Sequence, residues 1–86
     1  MEIKKKLIKR NIAGDYILIP VGKTVLSTTG MFVLNELGAY IWDLLPQINS
    51  EEEILEAVLK EYDATTEEAR QDISEFLDQL RSWEIL

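Results

Sequence analysis

The 86-residue sequence contains neither cysteine nor histidine. The absence of cysteine excludes disulfide bonds and thiolate-bound metals, and it is compatible with a reducing compartment. The absence of histidine removes the usual nucleophile–base pairs of hydrolytic enzymes and most kinds of zinc site. We therefore expect no metal, no cofactor and no catalytic residue in this chain.

Long apolar segments are also missing. The longest apolar run, Tyr16–Val21, is far shorter than the roughly 20 residues that a membrane-spanning helix needs. The basic start of the chain, residues 4–10, is not followed by the apolar region and small-residue cleavage site of a secretion signal. We therefore expect a cytoplasmic protein without a membrane partner.

Carboxylates are the only catalytic side chains that the sequence has in quantity. Acid–base catalysis requires a carboxyl group whose pKa is shifted by burial or by a close partner. The acids at 51–53 and 67–68 stand at the starts of predicted helices, where they should be solvated and ionised. The four glycines are too scattered to form a phosphate-binding loop. The chain is therefore not expected to be an enzyme.

The charges are distributed unevenly along the chain. The net charge is −7. Residues 1–35 have six Lys/Arg and two Asp/Glu, whereas residues 36–86 have three Lys/Arg and fourteen Asp/Glu. The stretch Thr65–Trp83, predicted to be the last helix, carries five acids and two arginines. Because nucleic-acid phosphates would be repelled by this surface, we expect no nucleic-acid partner.

The first third of the chain has the composition of β-strands. Leu7–Ile12 and Tyr16–Val21 are rich in β-branched residues and are separated by the turn signal Ala13-Gly14-Asp15. Pro20 has no N–H to donate, so it is expected at a strand end or on an unpaired side. Met31–Leu34 is predicted to be a short third strand. The brief connections favour an antiparallel meander.

The remaining residues are predicted to form three helices. Each begins at an N-cap signal, and Pro46 marks the end of the first helix. The N-cap signals are Asn35, Ser50 with Glu53, and Thr65 with Glu68. The apolar stripes are Leu37, Ile41, Leu44 and Leu45; then Ile54, Leu55, Val58, Leu59 and Tyr62; and finally Ala69, Ile73, Phe76, Leu77 and Leu80.

Strands followed by helices, without a linker or an internal repeat, predict one α+β domain over residues 1–86. The expected architecture is winged-helix-like, with a three-stranded antiparallel sheet followed by three helices. The order of the elements differs from the usual DNA-binding version of that fold, so the likeness is one of architecture and not of function.

Several stretches resemble the PqqD family of small proteins, the recognition elements for ribosomally made, post-translationally modified peptides. The resemblance begins at Leu7–Arg10 and at residues 16–22. It is sharpest at Leu34–Leu45, which is similar to the family's Leu-Asn-Glu-x-(Gly/Ala)-Ala-x-x-Trp-x-Leu-Leu pattern.

Further motifs extend the resemblance toward the end of the chain. Glu53-Ile54 and Leu59–Tyr62 come first, and residues 72–80 are similar to the family's Asp-Val-x-x-Phe-Leu-x-x-Leu pattern. The order of these motifs over almost the whole chain carries the resemblance. One departure is Trp83-Glu84-Ile85-Leu86, where many members have a glycine before the final apolar pair.

The resemblance implies a PqqD-like peptide-recognition domain. Such a domain binds the leader of a precursor peptide by adding it as a strand beside the third strand, in a groove closed by the third helix. It then presents the peptide to a modifying enzyme, often a radical S-adenosylmethionine enzyme. The candidate peptide-binding residues are Met31, Phe32, Val33, Leu34, Asp72, Ile73, Glu75, Phe76, Gln79 and Leu80.

Two roles are expected within this set. The apolar residues of the strand and of the third helix would form pocket walls, while Asp72, Glu75 and Gln79 would meet basic or polar leader side chains. The alternative is an interaction or dimerisation domain that has this fold without the peptide-leader role. An edge strand that accepts a peptide can also pair with its own copy, which would make a homodimer.

Overall fold

The computed structural model describes residues 1–22 and 32–86. A short 3₁₀ turn, Leu45–Gln47, follows the first helix. The strands are β1 (Leu7–Ile12), β2 (Asp15–Pro20) and β3 (Phe32–Leu34), and the helices are α1 (Glu36–Leu44), α2 (Glu51–Glu61) and α3 (Thr66–Ser82). The predicted α+β fold, a three-stranded antiparallel sheet followed by three helices, is confirmed.

A tight hairpin joins β1 to β2. Ile12 pairs with Asp15, so the connection consists of Ala13 and Gly14 alone. Both residues have positive φ, 52° and 88°, as a type I′ turn requires. The turn signal in the sequence is therefore confirmed, although alanine at its first position adopts a left-handed conformation that only glycine tolerates without cost.

The sheet has the order β1-β2-β3, with antiparallel pairing throughout. Pro20 is the last residue of β2, opposite Leu7, so it lies at a strand end as predicted. Met31, predicted as the first residue of the third strand and as a peptide-binding residue, lies outside the described residues.

The three predicted N-caps are observed. The side chains of Asn35, Ser50 and Thr65 each accept a hydrogen bond from the backbone N–H three residues ahead. The first helix ends at Leu44 and continues as the 3₁₀ turn that contains Pro46. These caps fix where each helix begins, because they satisfy N–H groups that have no partner within the helix.

One face of the sheet packs against the helices and forms the core. Leu18 of β2 is fully buried and Leu34 is 6% exposed, and they meet the apolar stripes of all three helices. Leu59, predicted on the stripe of the second helix, is 36% exposed because it stands at the margin of that stripe. No helix within residues 1–22 and 32–86 has the length and apolar character needed to cross a membrane.

Candidate functional site

Strand β3 forms one edge of the sheet. It pairs with β2 along residues 32–34, and in the described parts of the chain it has no second strand partner. None of its three residues carries a charge. The side of β3 opposite β2 is therefore an edge at which the sheet can be extended.

The register shows which β3 backbone groups face that edge. The N–H of Val21 donates to the carbonyl of Lys6 (3.0 Å), so residues 6 and 21 form a hydrogen-bonded pair. Such pairs alternate in an antiparallel ladder, which makes Arg10 and Ile17 another hydrogen-bonded pair. The N–H and C=O of Ile17 thus point to β1. Its partner on the other side, Val33, must then point its own N–H and C=O away from β2.

A groove runs beside this edge. Its volume is about 630 Å³, and its walls come from β3, the start of α1, the residue after α2, and α3. The lining residues are Val33, Leu34, Asn35, Glu36, Leu37, Gly38, Tyr62, Asp72, Glu75, Phe76, Gln79 and Trp83. The site therefore combines an extendable strand edge with a trough of side chains next to it.

Helical periodicity explains the contribution of α3. The groove residues of α3 lie along a single stripe, because Glu75 and Phe76 stand three and four residues after Asp72, Gln79 comes three residues after Phe76, and Trp83 comes four residues after Gln79. The buried stripe of the same helix lies beside this one. One helix thus supplies both core residues and groove residues.

The packing of α1 against α3 depends on Gly38. A Cβ atom at this position would stand 3.0 Å from Cε1 of the Phe76 ring and 3.0 Å from Oδ1 of Asn35. The Asn35 oxygen accepts the hydrogen bond from the Gly38 N–H at 2.7 Å. Glycine therefore lets the Phe76 ring lie directly against the capped start of α1, with the ring half-buried at the groove floor.

One groove residue, Trp83, packs against the first residue of β3. The rings of Phe32 and Trp83 are tilted by 36° with centroids 4.6 Å apart. The Nζ of Lys5 donates to the carbonyl oxygen of Trp83 at 2.9 Å. Through the ring contact, the first residue of β3 packs against the C-terminal end of α3, and the hydrogen bond from Lys5 holds the same end of the helix.

Acidic residues dominate the charge of the groove. Glu36, Asp72 and Glu75 are exposed in it, and no Lys or Arg is among its described lining residues. Burial raises the pKa of Tyr62 above its ordinary value, and the negative charge of Glu36 raises it further. The Tyr62 ring makes an edge contact with Tyr40, with centroids 5.5 Å apart. The Tyr62 hydroxyl therefore keeps its proton to a higher pH than an ordinary tyrosine does.

The structure brings six of the predicted site residues together in the groove: Val33, Leu34, Asp72, Glu75, Phe76 and Gln79. Ile73 and Leu80 are buried in the core, with 1% and 0% exposure, and do not line it. Phe32 lies behind the groove, against Trp83.

Sequence reasoning did not select the other lining residues, which are Asn35, Glu36, Leu37, Gly38, Tyr62 and Trp83. The first four belong to the Leu34–Leu45 stretch, the sharpest part of the resemblance, so a signal was present. Tyr62 was predicted to be on the buried stripe of α2. The helix ends at Glu61, and Tyr62 as its C-cap turns toward the groove.

A second, smaller depression of about 400 Å³ lies between α1 and α2. It includes Tyr40, Glu53, Glu56 and Glu61, with Lys60 as a cation. In the described ranges, no group of three or more carboxylates is arranged to hold a metal ion. This depression has no strand edge in its lining, which makes the β3 groove the stronger candidate site.

Comparisons with known proteins identify the family of this chain. The family model of PqqD, coenzyme PQQ synthesis protein D, matches residues 16–86. The chain is also similar to a solved structure, TbiB1 in complex with the TbiA(beta) leader peptide, at 29% identity and a TM-score of 0.77. The likeness covers 100% of this chain and 94% of that one. A search of curated proteins gives no match. Since the family model spans well over half of the sequence, the resemblance is confirmed and this chain belongs to the PqqD family.

Proposed function

We propose that this chain binds the leader of a ribosomally made precursor peptide as an added strand beside β3. It then presents the peptide to a modifying enzyme, a radical S-adenosylmethionine enzyme. The observation that carries this proposal is the edge-facing N–H and C=O of Val33 beside a groove of about 630 Å³. The complex of the similar protein TbiB1 with a leader peptide supports it.

A comparison of typical free energies shows which contacts determine the affinity for the peptide. Backbone hydrogen bonds contribute about 0.5–1.5 kcal/mol each, while ordering each peptide residue costs about 1–2 kcal/mol. These two contributions nearly cancel along a short added strand. Apolar side chains that enter the groove, at roughly 1.5–3 kcal/mol each, then determine whether the peptide binds. Leu37, Phe76 and Trp83 are the apolar surfaces that receive them.

Strand geometry divides the peptide side chains into two sets. Successive side chains of the added strand point to opposite faces of the sheet. One set faces α3, where Asp72, Glu75 and Gln79 line the groove beside Phe76. The other set continues the outer face next to Val33, whose side chain is 62% exposed. Specificity therefore arises mainly from the first set.

The residues behind the groove have a supporting role in this proposal. Ile73 and Leu80 anchor α3 in the core, and Phe32 supports Trp83. They keep the distance between α3 and the strand edge fixed without touching the peptide. The chain itself supplies binding and orientation, and the chemistry resides in the partner enzyme.

The neighbouring genes provide the first test. We expect a short precursor gene and a radical S-adenosylmethionine enzyme gene beside the gene for this chain. Synthetic peptides that tile the precursor's leader are then titrated into ¹⁵N-labelled protein. The backbone amides of residues 32–38 and of the groove stripe of α3 should shift, and the Val33 amide should exchange more slowly. Shifts confined to the α1–α2 depression or to β1 would contradict the proposal.

The alternative role, a dimerisation domain, uses the same edge. An uncharged β3 with edge-facing backbone groups can pair with the β3 of a second copy. Sedimentation at increasing protein concentration measures such pairing directly. A stable dimer that excludes the leader peptide favours the alternative, and a dimer that the peptide dissociates favours peptide recognition.

A further inference from the structure

The two ends of the β3 groove differ in chemistry. Phe32 at the start of β3 stacks with Trp83, whereas Gly38, beyond the end of β3, packs against Phe76. The strand and α3 therefore run in opposite directions along the groove. The end of β3 leads to Glu36 and to the N-terminal part of the α3 stripe, which bears the other two groove acids.

This arrangement separates charge from aromatic surface. The acidic end contains Glu36, Asp72 and Glu75. Burial raises the pKa of Tyr62 at this end, and the negative charge of Glu36 raises it further. The aromatic end contains Trp83, whose carbonyl holds the Lys5 ammonium group. A peptide cation would thus be attracted at one end and repelled at the other.

The distance along α3 between the groove acids and Trp83 determines how many peptide residues would separate a cation from an apolar residue. Glu75 and Asp72 precede Trp83 by eight and eleven helical residues, which corresponds to roughly 12–17 Å along the helix axis. An extended peptide covers that distance in about four or five residues, at roughly 3.3 Å per residue.

Resting on the proposed function, we propose that the groove selects a leader segment with a lysine or arginine about four residues before a large apolar residue, an even separation that lets both side chains face α3. The cation lies among Glu36, Asp72 and Glu75, and the apolar side chain lies on Trp83. The cation comes first in the peptide because an added strand antiparallel to β3 runs from the acidic end toward Trp83. Antiparallel pairing is the more stable arrangement and the one found throughout this sheet.

A random peptide library tests this inference without knowledge of the natural leader. Peptides of about 12 residues, displayed on phage, are selected on the immobilised full chain. A second selection uses the variant Asp72→Asn/Glu75→Gln, which removes two charges but keeps the side-chain shapes. The matched control is Glu2→Gln/Glu56→Gln, which changes the net charge equally at exposed residues outside the groove.

We expect peptides selected on the natural chain to contain the cation and the apolar residue at the stated spacing and order. The groove variant should lose the preference for the cation, while the control variant should retain it. A synthetic selected peptide should bind the groove variant about three- to tenfold more weakly. A similar loss is expected between about 50 mM and about 500 mM sodium chloride.

Other outcomes separate this inference from the proposed function. Selected peptides that bind the groove without a cation overturn the inference and leave the proposed function intact. A cation preference lost equally in both variants also overturns it, because general attraction to an acidic protein would then be the cause. The reverse order of the two residues overturns the antiparallel arrangement. A selection that yields no groove-binding peptide contradicts the proposed function itself.

Discussion

The two edges of the sheet present the same backbone chemistry in different surroundings. By the same register, Asn11 of β1 points its N–H and C=O to the outer edge of β1, as Val33 of β3 does on the opposite side. On β1, Lys9 lies next to that edge and forms an ion pair with Asp43 at 2.5 Å. Neither of the two depressions described above includes a β1 residue.

The β3 edge differs by what surrounds it. Its three residues are uncharged, and α3 and the start of α1 form a trough along it. Charged side chains on an edge strand discourage the addition of a further strand. Of the two edges, the β3 edge is therefore the better suited to accept a peptide strand, because it is uncharged and neighbouring side chains can select what is added.

The largest effect is expected from proline at the β3 edge. Val33→Pro removes the edge-facing N–H and leaves the β2–β3 hydrogen bonds in place, so the fold should persist. We expect leader-peptide affinity to fall tenfold or more, about 1.4 kcal/mol, in isothermal titration calorimetry.

Asn11→Pro is the matched control for that variant, since it removes the equivalent N–H at the β1 edge. It should leave peptide affinity unchanged. If instead Asn11→Pro weakens binding and the folded Val33→Pro does not, the peptide adds to β1 and the assignment of the site is wrong.

A smaller loss is expected when the groove floor is removed. Phe76→Ala deletes the half-buried ring that lies against Gly38, and with it an apolar surface for the peptide. We expect affinity to fall about fivefold, on the order of 1 kcal/mol. Leu59→Ala, which truncates an exposed apolar side chain outside the groove, should leave affinity unchanged. Equal losses in the two variants would mean that the apolar groove floor does not decide binding.

The effect of the Glu36 charge at the acidic end of the groove can be measured without a peptide. Glu36→Gln should lower the pKa of Tyr62 toward its ordinary value of 10.0, because the carboxylate of Glu36 is one of the causes of the raised pKa. Tyr40 is the internal control, since burial and then Glu61 raise its pKa. NMR titration of the two tyrosine rings distinguishes them, and an equal shift in both would contradict the local effect.

The sign of the accompanying stability change follows from linkage. The folded-state pKa of Tyr62 is raised above that of the unfolded chain. The contribution of the protonated Tyr62 hydroxyl to the free energy of unfolding is therefore fully present below the unfolded pKa of about 10. It is lost as pH rises through the folded pKa. Glu36→Gln should reduce the steepness of that alkaline loss in urea unfolding experiments.

The smallest effect is expected from a substitution in the turn after α3, which should change stability and leave both edges of the sheet as they are. Glu84 follows Trp83 and has a φ of 60°, a left-handed conformation that is strained for a residue with a side chain. Glu84→Gly should increase the free energy of unfolding by about 0.5–1 kcal/mol, because the left-handed conformation costs glycine little. Denaturant unfolding measures this gain. Altered peptide affinity would show that the turn after α3 also shapes the groove.

Local signals in the sequence predicted most elements correctly. The caps at Asn35, Ser50 and Thr65 and the turn at Ala13-Gly14 each act over two to four residues, so they can be found by inspection. The stripe of Asp72, Glu75 and Gln79 was predicted from helical spacing together with the resemblance to the PqqD family. Both Leu59 and Tyr62 were predicted on the buried stripe of α2. Apolar spacing alone does not show that Leu59 lies at the margin of this stripe, nor that the helix ends before Tyr62.

The assignment of apolar residues to core or groove could not be made from the sequence. Ile73, Phe76 and Leu80 share one helix and one apolar pattern, yet only Phe76 lines the groove. The distinction depends on how α3 is rotated against the sheet and on how closely Gly38 lets it approach α1.

Residue types and short spacings are enough to predict the class of fold, the helix starts and the acidity of α3, because each of these depends on a few neighbouring residues. Long-range packing sets the remaining features: Val33 turns its backbone groups to an edge that has no strand partner in residues 1–22 and 32–86, and residues from β3, α1 and α3 meet there. The reason is that register and helix packing are set by contacts between residues far apart in the chain, which no local pattern specifies.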